Sequence, residues 1–199
     1  MRALAAIAIV LAGVGASPSV ARADDAMTFA ATDGGPYRLD AGFFAAMPAG
    51  LPSGIEDGAV IGATRACGCA FAYGARIAVT GITESSEAYT ASDIDVRARA
   101  TAALRHAVGR TELALRLGAG ANIVYEDRTR NGGDRAGLTG DALETRTLAA
   151  LPAADLEAVI AMHVIGPWLV IASGGPTAEI LDGGLHGGFV AGVGIGWQP

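Results

Sequence analysis

Between Asp93 and Arg105 the chain alternates with a period of two. Ile94, Val96, Ala98, Ala100, Ala102 and Leu104 fall on one parity, and Asp93, Asp95, Arg97, Arg99, Thr101 and Arg105 on the other. Successive side chains of an extended strand leave opposite faces, so this pattern predicts a β-strand with one apolar and one polar face. The next stretch repeats it. Leu113, Leu115, Leu117, Ala119, Ala121, Ile123 and Tyr125 oppose Glu112, Arg116, Gly118, Gly120, Asn122 and Glu126, after a tight hairpin at Ala107 to Arg110.

Six further strands follow from the same rule. Tyr37, Leu39, Ala41, Phe43, Ala45 and Met47 oppose Arg38, Asp40 and Gly42; a second strand spans about Ala59 to Phe71, turns at Tyr73-Gly74, and leads to a third over Ala75 to Glu84. Leu156, Ala158, Ile160, Met162 and Val164 oppose Asp155, Glu157 and His163 before a turn at Gly166-Pro167, then Trp168 to Ser173 or beyond forms a seventh strand. In the last, Phe189, Ala191, Val193, Ile195 and Trp197 alternate with Gly188, Gly192, Gly194 and Gly196. The stretch Leu156 to Ala172 is apolar enough to suggest a membrane helix, but Glu157 and His163 interrupt it and Gly166-Pro167 would break it near the middle.

Eight strands with short connections at Ala72 to Ala75, Ala107 to Arg110 and Ile165 to Trp168, and longer ones at Pro48 to Asp57, Ser85 to Ser92, Tyr125 to Leu151 and Ala178 to Gly184, predict an all-β fold, an eight-stranded antiparallel up-and-down barrel. All the short turns fall at one end, the asymmetry of transmembrane barrels. The apolar parity would face lipid. The polar parity would fill a narrow lumen with ions of both signs: Arg38, Asp40, Arg76, Asp95, Arg97, Arg99, Glu112, Arg116 and Glu157, with Asp93, Arg105, Glu126 and Asp155 on the same face. Tyr37, Tyr125, Trp168 and Trp197 fall near strand ends on the apolar parity, where an interfacial girdle would sit. The same alternation also admits the inside-out alternative, a soluble periplasmic lipocalin-like barrel binding an apolar small molecule.

The amino terminus adds the compartment. Met1-Arg2, an apolar run over Ala3 to Gly15, and Ala21-Arg22-Ala23 ahead of Asp24-Asp25 predict a signal peptide over residues 1–23, cleaved after Ala23, and a single barrel domain over 24–199. Cleavage removes Arg2 and Arg22, leaving 12 basic against 20 acidic residues, a net charge of −8, which disfavours nucleic acid as a partner.

Candidate chemistry changes this picture little. Cys67 and Cys69 lack a third ligand at zinc spacing and read as small wall-filling residues. A set of Ser173, His163 and Asp155 can be written down for a membrane hydrolase, but no nucleophile-elbow sequence surrounds the serine. No cofactor motif is present, and the expectation is a non-enzymatic protein. The charged segment with Asp127, Arg128, Arg130, Asn131, Asp134 and Arg135 is the best external loop for a surface ligand of unknown identity.

Over the whole chain from residue 24 the pattern resembles the small eight-stranded outer-membrane barrels, the OmpX-like and opacity-type families. The C-terminal strand carries the most specific part: Phe189, Val193, Ile195 and Trp197 resemble the terminal strand read by the barrel-assembly machinery, although Gln198-Pro199 follow where the family usually ends on its aromatic. The resemblance implies residence in a Gram-negative outer membrane, outer-membrane lipid and the assembly machinery as partners, and a structural or surface-interacting role. An eight-stranded lumen is too narrow for a general diffusion porin.

Overall fold

The computed structural model describes residues 36–48, 55–67, 70–85, 89–130 and 145–199. Their strands are β1 (Tyr37–Pro48), β2 (Glu56–Ala66), β3 (Phe71–Ser85), β4 (Tyr89–Val108), β5 (Thr111–Arg130), β6 (Thr145–Ile165), β7 (Trp168–Leu181) and β8 (Gly184–Trp197). Each pairs antiparallel with its sequence neighbours, and β8 pairs with β1, so the ring is closed in the order β1 to β8. Closure leaves no open sheet edge.

The stagger of the ring is readable from its register. Stepping across paired residues from Arg38 through Thr64, Gly74, Thr101, Gly118, Asp155, Thr177 and Gly188, the path returns to β1 at Pro48, ten residues beyond its start. Such a shear tilts the strands by roughly 35–45° and sets an interior that side chains can fill.

The parity of every strand resolves which side is which. Leu113, Leu115 and Leu117 are 45 %, 51 % and 54 % exposed, whereas Glu112 and Arg116 on the other parity are 2 % and 7 % exposed. Charge is inside and hydrocarbon outside, the reverse of a soluble protein, which removes the lipocalin-like alternative. Two small apolar clusters interrupt the polar interior: Phe44, Ala46, Val60, Ala78 and Val190, and nearer the turn end Val159, Ala161, Leu169 and Ile171.

Several boundaries differ from the sequence-based expectation. The β2–β3 connection lies at residues 67–70, not at Tyr73-Gly74, so Cys67 is an exposed free thiol beside a turn and fills no wall; Cys69 is outside the described residues. Arg65 and Tyr73 pair directly across the two strands, which carries the ladder through the expected turn. The connection expected at Ala178 to Gly184 shrinks to Asp182-Gly183, with φ of 51° and 75°. Two consecutive left-handed residues fit a two-residue hairpin of Asp-Gly type. The expected loop Tyr125 to Leu151 narrows to residues 131–144, because β5 and β6 pair as far as Arg128↔Thr145. With 20, 20 and 21 residues, β4, β5 and β6 are about twice as long as a membrane crossing needs.

Candidate functional site: the ion-paired lumen and the barrel rims

Because inward positions recur every second residue, the closed ring brings charges from distant strands face to face. Glu157 on β6 accepts Arg76 Nη1 from β3 at 2.7 and 2.8 Å and Arg116 Nη2 from β5 at 3.0 Å. Toward the turn end, Glu112 is shared by Arg38, at 2.8 Å, and Arg105. Toward the loop end, Arg99 donates to Asp155 at 2.7 Å and to Asn122 Oδ1 at 2.6 Å; Asn122 donates on to Glu179 at 2.6 Å, and Thr177 to Asp155 at 2.6 Å. Arg97 bridges Glu56 at 3.0 Å and Asp95 at 2.7 Å, and Thr80 donates to Glu56 at 3.1 Å. The Arg76 guanidinium also stacks 5.1 Å from the centre of the Phe44 ring.

All nine lumen residues singled out in the sequence thus face inward, and eight of them are ion-paired: Arg38, Arg76, Asp95, Arg97, Arg99, Glu112, Arg116 and Glu157. Asp40 is different. It lines a small cavity with Gly42, Arg76, Arg116, Ser173 and Gly192. Glu56, Thr80, Thr177 and Glu179 complete the network without having been singled out, since Glu56 and Glu179 were placed in connections that are in fact strand. Inward parity carried as far as the hairpins would have found them.

The energetic consequence is asymmetric. Two buried charges brought together roughly cancel the cost of drying them, whereas removing one partner strands the other at a cost of about 3–5 kcal/mol. The lumen is therefore a closed web in which each carboxylate matters more for what it neutralises than for a net gain.

At the loop end, Asp127, Arg128 and Arg130 belong to β5 and not to a loop, pairing with Ser92, Ala91 and Tyr89. Arg128 donates to Glu126 at 2.7 Å and Arg146 to Asp127 at 3.5 Å. Asn131, Asp134 and Arg135 lie outside the described residues. On the outer face, Thr83 meets Ser92 at 3.5 Å and Ser85 meets Thr90 at 3.2 Å, a hydroxyl rim above the apolar belt. The hydrolase set does not assemble: Asp155 and His163 are eight positions apart on β6, about 26 Å at strand rise, and Asp155 is engaged by Arg99 and Thr177. Among the described residues no group of three or more His, Cys, Asp or Glu is arranged to hold a metal ion.

Closed ring, inverted polarity and ion-paired lumen together define an eight-stranded transmembrane barrel of the outer-membrane type. Solved structures of that class superpose on this chain. Neisserial surface protein A matches with a TM-score of 0.59 at 9% identity, covering 84% of this chain and 100% of its own. Ail, the attachment invasion locus protein of Yersinia pestis, gives 0.55 at 13% identity over 82% and 99%. OprG from Pseudomonas aeruginosa gives 0.51 at 9% identity over 83% and 96%. At such identities the likeness is one of fold. No family model and no curated protein sequence matches the chain.

Proposed function

We propose that the protein is a non-enzymatic outer-membrane barrel of a Gram-negative envelope, structural or surface-interacting, with a lumen closed to general diffusion. One observation carries this: outward Leu, Ile, Phe and Trp surround an interior of paired arginines and carboxylates. In hydrocarbon every backbone N–H and C=O needs a partner within the protein, a condition a closed sheet meets. The proposal includes export by residues 1–23, cleavage before a 24–199 barrel, and delivery to the assembly machinery through β8, whose Phe189, Ile195 and Trp197 face outward. Outer-membrane lipid is then its main partner. The lumen residues named above act as a plug, and the rim bearing Asp127, Arg128 and Arg130, continued by Asn131, Asp134 and Arg135, is the surface for an external ligand.

Fractionation of cells expressing the full chain tests this. Recovery in the outer membrane, with gel mobility that changes on boiling, is the expected result; recovery in the soluble periplasm would refute it.

A further inference from the structure

Arg65 stands out on the outer wall, where its neighbours are hydrocarbon. It pairs across β1–β2 with Tyr37 and across β2–β3 with Tyr73, so the three side chains lie abreast on one outward row, Tyr-Arg-Tyr. The guanidinium carbon sits 5.3 Å from the Tyr37 ring centre, and Nη1 reaches the Tyr73 hydroxyl at 3.5 Å. No carboxylate among the described residues forms an ion pair with Arg65. One outward row further in, Leu39, Ala63 and Ala75 begin the apolar belt. On the other side of β1, Trp197 pairs with Leu39 and with Trp168, continuing the aromatic girdle around the same rim.

We infer that Arg65, Tyr37 and Tyr73 form a binding site for the phosphodiester headgroup of a phospholipid in the turn-side leaflet. The inference rests on the membrane placement proposed above. At that depth the barrel wall passes from acyl chain to headgroup, where tyrosine and tryptophan rings settle with their polar ends toward water. An arginine held there, with no carboxylate paired to it among the described residues, has a planar fork of donors that matches two phosphate oxygens, and the anion supplies a countercharge. Tyr37 holds the guanidinium against its ring face. The Tyr73 hydroxyl accepts from Arg65, so its own proton points away as a further donor to the phosphate. Leu39 and the two alanines abreast of it give the acyl chains a smooth wall.

The test uses the full chain, labelled with 15N in its arginine side chains and reconstituted into vesicles of phosphatidylcholine and phosphatidylglycerol. Dephasing of guanidinium nitrogen by lipid phosphorus in the solid-state NMR spectrum is the readout. Wild type is expected to show a short-range component that Arg65→Gln loses and Tyr73→Phe weakens, with all three barrels still shifting on boiling. Equal dephasing in wild type and Arg65→Gln, both folded in the vesicles, overturns the site and leaves the barrel's placement standing. A wild-type chain that does not enter the vesicles overturns the placement and the site together. Arg65→Lys separates charge from fork: recovery of less than half of the lost component is expected, and full recovery would overturn the two-oxygen geometry.

Discussion

Arg76 on β3 and Glu157 on β6 meet across the lumen, one guanidinium nitrogen within 2.8 Å of both carboxylate oxygens, tying opposite walls of the barrel together. Arg116 takes the same carboxylate at 3.0 Å. Glu157→Gln keeps the size but leaves two guanidinium groups buried with their counterion gone. The expected loss is about 3–5 kcal/mol, read as a lower urea midpoint of the refolded barrel in detergent micelles. Replacing all three together, Arg76→Met, Arg116→Met and Glu157→Leu, is expected to recover most of it. An unchanged midpoint in Glu157→Gln would mean that the web is not what holds the lumen.

The opposite face gives the opposite rule. Leu115→Arg puts a cation on the outer wall within the apolar belt, where lipid-facing arginine costs up to about 2–4 kcal/mol. Thr129→Arg, on the same face of β5 but level with the hydroxyl rim, where it pairs with Thr90, is expected to be nearly neutral. Folded yield in vesicles separates the two variants; equal yields would contradict the assignment of the belt.

Close approach between strands fixes certain glycines. A Cβ built on Gly175 would lie 2.0 Å from the Leu156 carbonyl oxygen, and one on Gly120 2.0 Å from that of Ala98. Backbone cannot yield as a flexible side chain would, so Gly175→Ala and Gly120→Ala are expected to reduce the heat-modifiable fraction sharply. Gly118→Ala meets the Arg99 side chain at 3.5 Å, ordinary contact, and is expected to fold normally. If all three fold alike, the strands do not approach as described.

How much of this was legible in the sequence depended on contrast between the two parities. In β5, leucines alternate with Glu112 and Arg116, and both the strand and its inward charges are readable. In the loop-side half of β6, Leu148, Ala150 and Ala154 face Ala149, Leu151 and Ala153, so both parities are apolar and no period shows. Pro152 stands one residue beyond the last β6–β7 pair, where β6 is free on that side and a strand tolerates proline. At Gly174-Gly175-Pro176 the β6–β7 pairing skips from Asp155↔Thr177 to Ala158↔Gly174, so the ladder opens around the proline and closes again. Glu56 and Glu179 were missed because the expected connections Pro48 to Asp57 and Ala178 to Gly184 include them, whereas both stand in strands. Arg65 was hidden for a different reason: the strand expected over Ala59 to Phe71 puts it mid-strand, and its two tyrosine neighbours follow only from the register of β1, β2 and β3.

The two tryptophans of the chain offer the most direct check on which way the barrel faces. Trp168 and Trp197 are paired neighbours at the turn end, 49 % and 38 % exposed on the outer wall. In vesicles of lipids brominated either near the headgroup or deep in the acyl chain, their fluorescence is expected to be quenched strongly by the shallow bromines and weakly by the deep ones. Emission that neither lipid quenches would mean that the apolar wall does not face lipid, and the membrane barrel would be refuted.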